Sequence, residues 1–210
     1  MTQSNSAAPL SRRDLLAVGA ASLAVALNAV DGRAEGIDAN QAVTPVGPDD
    51  KAAGGGFRFA AGDDRLTEHR KLFGDRPIPL DFKVSTGDSA GSLFIVEHTD
   101  VKKSGPPRHV HHDQDEWFYV VKGDYIVEVG GERFKLGPGD SVLGPRKIPH
   151  AWAFVGEGTG KLIIAFQPAG KMEAFFDKIA PLTEFPPREE MDKMFRDHGI
   201  QLAGPPLPID

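Results

Sequence analysis

Apolar and polar residues alternate through the middle of this chain with a period of two, the signature of strands that bury one face. The runs are Ile78 to Ser85, Ser92 to Thr99, Arg108 to His111, Glu116 to Val121, Tyr125 to Val129, Glu132 to Lys135, Ser141 to Leu143, Ala151 to Val155 and Lys161 to Gln167. Within Glu116 to Val121 the inward set is Glu116, Phe118 and Val120. Gly130-Gly131 joins two alternating runs as a two-residue hairpin. Pro138-Gly139-Asp140 is a second tight turn, with Asp140 placed to orient the loop from Pro145 to His150. The first strand is expected near Phe57-Arg58-Phe59-Ala60, and Arg65 to Phe73 reads as a short helix or a covering loop. Short strands in this number close on one another, which removes exposed edges and encloses room for a small ligand. The expected fold class is mainly β, a jelly-roll barrel over 57–170.

The period changes to that of a helix only near the C-terminus. Met172 to Ile179 predicts one short helix and Pro187 to His198 a better one. In the second, Pro187 suits the first turn, Glu189 and Glu190 complement the positive helix end, and Gly199 closes it. Met191, Met194, Phe195 and His198 fall on one face, for packing against the barrel or against a partner subunit, which admits a homodimer. Gly204-Pro205-Pro206-Leu207-Pro208 reads as a terminal extension without its own core, so 171–210 is expected to be a C-terminal helical extension.

Composition narrows the function classes. A net charge of −6 without a cluster of Lys and Arg argues against a nucleic-acid partner. The absence of cysteine excludes disulfides, thiolate metal sites and cysteine nucleophiles. The 17 prolines and 24 glycines suit short strands and tight turns. Residues 35–56, with Val43-Thr44-Pro45-Val46-Gly47-Pro48 and Gly54-Gly55-Gly56, lack an apolar period and read as a flexible linker. Ahead of them, Ser11-Arg12-Arg13-Asp14-Leu15-Leu16 resembles the twin-arginine motif of bacterial export. The apolar stretch Leu15 to Val30 is shorter than the about twenty residues of a membrane span, so residues 1–34 read as a signal peptide and not a stable anchor. Cleavage after Gly32-Arg33-Ala34 or near Ala24-Val25-Ala26 fits the small-residue rule. The export machinery is then a partner, and the expected location is the periplasm or beyond.

The candidate chemistry lies in four residues. His109 and His111 are two apart and project from one strand face. Glu116 opens the next strand, and His150 lies in Pro149-His150-Ala151-Trp152-Ala153-Phe154. Three imidazoles and a carboxylate form a ligand set for one divalent transition metal ion, and iron, manganese, nickel, cobalt, copper and zinc all use it. His112 points away from the pair, while His69, His98 and His198 have no partner spacing; His98 ends its strand where it would face the barrel mouth. Phe118 shares a face with Glu116, and Trp152 and Phe154 with His150; these and Phe166, which shares parity with Ile164 on the late strand, either line a substrate pocket or fill the core.

The spacing resembles that of the cupin family. Its first motif appears as His109, His111, four residues, Glu116, six residues, Gly123. Its second appears as Gly139, five residues, Pro145, then Lys147 where the family has Gly, His150, and Phe154 where the family has Asn. The resemblance implies a double-stranded β-helix with metal ligands His109, His111, Glu116 and His150. Single-domain members related to quercetin 2,3-dioxygenase add a function: a phenolic or flavonol-like substrate binds the metal, Glu116 takes its proton, and dioxygen attacks. The same ligands also occur in isomerases and lyases, and an exported, non-catalytic metal-dependent binding protein is a further alternative.

Overall fold

Alternation carries the architecture, because each strand turns every second side chain inward and the two inner faces meet in one core. The computed structural model describes residues 56–66, 70–72, 78–184 and 186–209, all within one compact unit, Thr44–Asp210. The expected signal over 1–34, and the expected linker over 35–56 apart from Gly56, lie outside the described residues, as does His69.

One sheet has six strands. They are β1 (Arg70–Leu72), β2 (Ile78–Val84), β3 (Phe94–Val101), β5 (Asp115–Lys122), β8 (Ser141–Gly144) and β10 (Gly160–Gln167), in the order β1-β2-β3-β10-β5-β8. The other has five, β4 (Pro107–His111), β6 (Tyr125–Val129), β7 (Glu132–Leu136), β9 (His150–Phe154) and β11 (Ile200–Pro206), in the order β11-β4-β9-β6-β7. Every pairing is antiparallel. The result is a mainly β jelly-roll barrel with two short C-terminal helices. Gly130 and Gly131, both at positive φ, make the expected hairpin between β6 and β7.

Inward residues of the larger sheet, Leu80, Phe82, Phe94, Val96, Phe118, Val120, Leu162, Ile164 and Phe166, are all buried. Phe82 and Phe94 meet edge to face with ring centres 4.8 Å apart. Helix α1 (Met172–Ile179) lays Phe176 on both rings. Its buried residues Met172, Phe175, Phe176 and Ile179 form a single stripe, each contributing about 1.5–3 kcal/mol by leaving water. Helix α2 (Arg188–Asp197) buries Met191 and Met194, and Phe195 packs on Phe175 at 5.0 Å. Pro187 precedes the first turn, and Gly199, at φ 79°, ends the helix in the left-handed conformation. No helix among the described residues is long and apolar enough to cross a membrane.

Three expectations differ from the structure. Phe57 to Ala60 is not a strand: Phe57 and Phe59 stack against the Arg65 guanidinium, and Arg65 in turn pairs with Asp88. Cation–π contact, not sheet pairing, holds that segment. Over Arg65 to Phe73, expected as a short helix or a covering loop, the described residues form a turn at Arg65-Leu66, pinned by Asp64, whose carboxylate accepts from the Leu66 and Phe82 N–H groups, and then strand β1. Gly204 to Pro206, expected in a terminal extension without its own core, instead belong to strand β11, which pairs with β4 along Ile200↔His111 and Leu202↔His109. Leu207 beyond it is buried against Ala151 and Ala153.

Candidate metal centre

Strand β4 turns His109 and His111 inward, and its pairing with β9 sets His109 directly opposite His150. Glu116 comes from β5 in the other sheet, so the four side chains meet only when both sheets are packed. Their ligating atoms all lie within 4.8 Å of one another and all four residues are buried. Glu116 Oε2 is 2.8 Å from His150 Nε2, 3.0 Å from His111 Nε2 and 3.5 Å from His109 Nε2.

Backbone carbonyls fix two of the rings. His109 Nδ1 donates to the Pro107 carbonyl and His150 Nδ1 to the Ile148 carbonyl, each at 2.8 Å. With the proton held on Nδ1, the Nε2 lone pair points at the shared centre. His111 is different: it is fully buried, its Nδ1 has no partner, and its Nε2, though 3.0 Å from Glu116 Oε2, makes no well-directed hydrogen bond. Burial alone would raise the Glu116 carboxyl, but its contacts with His109, His111 and His150 outweigh that and hold it well below the ordinary glutamate value. Burial depresses the His111 imidazole. At His150 the opposing pull of Glu116 wins over burial and raises it. Three converging Nε2 atoms, one of them orphaned, and an ionised carboxylate fit a divalent first-row ion, which His109, His111, Glu116 and His150 could hold.

Residues 96–166 match the family model described as Cupin domain. This segment carries the whole cluster, and the match supports a place in the cupin superfamily. A comparison with curated proteins gives no match. Among solved structures, an RmlC-like cupin from Shewanella frigidimarina is 24% identical, over 56% of this chain and 96% of that one, with a TM-score of 0.44. KdgF from a Halomonas species is 26% identical, over 43% and 78%, with a TM-score of 0.38. The polyketide cyclase RemF from Streptomyces resistomycificus is 21% identical, over 42% and 63%, with a TM-score of 0.37.

The loop that delivers His150 to the cluster is held from a position other than the one expected. Asp140 caps its own turn by accepting from the Gly137 N–H. Asp115, next to Glu116, binds the loop: it accepts from the Arg146 backbone N–H and from two guanidinium nitrogens. Those Arg146 hydrogen bonds hold the Asp115 carboxyl down at about 2. Lys147, which stands where the family motif has Gly, sits at φ 66° and donates its N–H to the His111 carbonyl at 2.7 Å. The glycine's backbone conformation is kept although its residue is not. Gly144 leaves room for the His150 ring, to which a Cβ there would make a tight approach of 3.3 Å.

A cavity of about 1470 Å³ opens beside the cluster and reaches His109, His111 and Glu116. Trp152, Ile164 and Phe166 line it from the barrel, and Met172, Phe175 and Phe176 from α1. Of the expected pocket residues, Trp152 and Phe166 therefore border the cavity. Phe118 does not; it backs the His150 ring at 6.1 Å. Phe154 packs on Tyr125 at 5.2 Å and fills the space beside Gly123 and Gly160, on the core side. His112 is exposed, and His198 is held by the Met194 carbonyl. His98 is buried and borders the cavity. The α1 wall was missed although its signal was available: Met172, Phe175, Phe176 and Ile179 follow the i, i+3, i+4, i+7 pattern.

Proposed function

We propose that this chain is a metal-dependent dioxygenase acting on a phenolic, flavonol-like small molecule. The observation that carries the reading is the junction of a His-His-Glu-His cluster with a large apolar, aromatic cavity. Such a cavity suits a planar, largely apolar ligand better than a phosphate or a polyhydroxylated sugar. A divalent ion held by the four side chains would supply Lewis acidity, lowering the pKa of a substrate hydroxyl placed beside it. Glu116, kept ionised, is the carboxylate placed to take that proton. Trp152, Phe166, Phe175 and Phe176 hold the ring and exclude water from the deprotonated, electron-rich substrate that dioxygen attacks.

Metal analysis followed by dioxygen uptake with a flavonol panel tests the reading. Glu116→Gln should lower turnover by about 100-fold or more while weakening substrate binding much less, since an amide cannot accept the proton. Tight flavonol binding without dioxygen uptake would instead assign a binding protein, and dioxygen-independent conversion would assign an isomerase or lyase. Export belongs to the same proposal, supported by the Ser11 to Leu16 motif. Arg12→Lys with Arg13→Lys should leave the precursor in the cytoplasm, and normal periplasmic accumulation of that variant would rule the route out.

A further inference from the structure

Strand β3 turns Phe94, Val96 and His98 inward in strict alternation, so His98 stands where the pattern calls for an apolar side chain. Its cross-strand neighbours are Leu80 and Leu162. The ring is 3% exposed, lies 5.5 Å from the Trp152 ring and 6.4 Å from that of Phe176, and borders the cavity. Its Nδ1 has no hydrogen-bond partner. A core-filling role alone gives no reason for that nitrogen, because an apolar ring would fill the space without leaving a polar atom unpaired. Among the described residues, His98 is the one buried polar side chain on the cavity wall outside the four-ligand cluster; Asp100, Lys102 and Lys103 at its border are exposed.

We propose that His98 is a specificity-determining residue that hydrogen-bonds a neutral hydroxyl of the ligand, distal to the group held at the metal centre. The proposal takes its ligand class from the phenolic reading above. Burial pushes the His98 imidazole down to about 4, against a smaller opposing pull from Glu116, so the ring is neutral near pH 7. A neutral imidazole has one donor and one acceptor nitrogen; Nδ1 is closed off from the cavity, so Nε2 is the atom that a hydroxyl would meet, as donor or acceptor. It offers no charge with which to hold a carboxylate or a phosphate. The ligand thus has two polar anchors, the cluster and His98, with Trp152, Ile164 and Phe176 against the ring system between them. A ligand without the second hydroxyl leaves the imidazole desolvated and unpaired, and is rejected on that account.

Trp152 makes the test direct. The chain has two tryptophans, and Trp117→Phe removes the exposed one, leaving Trp152 beside His98 as the reporter. Metal-loaded protein is titrated with quercetin and with 3-hydroxyflavone, which share the metal-chelating edge and differ in their remaining hydroxyls. Quercetin should bind at least about tenfold more tightly. His98→Phe should bring the two within about twofold, and His98→Asn should keep part of the preference. Equal affinities for the two probes overturn this proposal alone, as does a preference that survives His98→Phe. Binding of neither flavonol sinks the phenolic reading and this proposal with it. Where His98→Phe does not fold, His98→Leu takes its place, and a preference that survives it overturns the proposal in the same way.

Discussion

Two buried glutamates, Glu116 and Glu128, are 3% and 6% exposed, yet their surroundings make them opposites. Glu128 points out of β6 and is closed over by two arginines. Arg108 Nε donates to Oε1 at 2.7 Å and Arg133 Nε to Oε2 at 2.8 Å, which holds the carboxyl below its ordinary value. Both its oxygens are matched by permanent cations, and nothing further is required. Glu116 points inward and shares a single oxygen, Oε2, among three imidazoles whose Nε2 atoms face the same point. Neutral imidazoles cannot all donate to it, because His109 and His150 have already committed their protons to backbone carbonyls. The outer carboxylate completes its own site. The inner one sits among three Nε2 atoms with no permanent cation to match it, a donor set that could hold a metal ion.

The largest expected break of this contrast is on the inner side. His111→Ala removes a ligand without touching either sheet's pairing. It should abolish stoichiometric metal binding, along with the stabilisation that a metal present at about a thousandfold over its Kd supplies, roughly 4 kcal/mol. Metal analysis and calorimetry with and without chelator check both. A variant that keeps full occupancy would mean that the cluster is not the site. The outer carboxylate should behave in reverse. Glu128→Ala leaves two partly exposed arginines unpaired and should cost about 1–2 kcal/mol in urea denaturation while metal content stays the same. Loss of metal in that variant would erase the distinction drawn here.

How far the sequence showed this depends on how local each signal was. Most of strands β2 to β10 were legible because they bury one face and so alternate, while β9, buried on both faces, showed as a short apolar run. The four ligands were legible because His109, His111 and Glu116 sit within eight residues and His150 follows a turn. β11 was not: Gly204, Pro205 and Pro206 carry no alternation, and the strand exists because the edge of β4 is there to pair with. Nor could strand parity tell which end of the barrel an inward side chain reaches. Phe154 and Trp152 have equal claims by alternation, and only the packing of β9 against β6 puts Phe154 in the core and Trp152 on the cavity. Asp115 was passed over in favour of Asp140 because the loop it holds lies 31 residues away.

The smallest expected effect concerns that loop. Lys147 occupies the left-handed region, which a side chain disfavours, so Lys147→Gly should gain about 0.5–1 kcal/mol after the added chain entropy of glycine is set against the relieved strain. Thermal unfolding of the metal-free protein measures it. A destabilised variant would show that the Lys147 side chain contributes more than its backbone strain costs.

The pairing of β11 with β4 also has a consequence in time. His111 and Ile200 are paired across a long stretch of chain, so the strand bearing two ligands acquires its outer neighbour late in synthesis. At ribosomal speeds of about 5–20 residues per second, the roughly ninety residues between them take about 4–18 s to add. Throughout that interval β4 is an open edge of its sheet. The edge that flanks the His109 and His111 pair is thus the last part of its sheet to be completed.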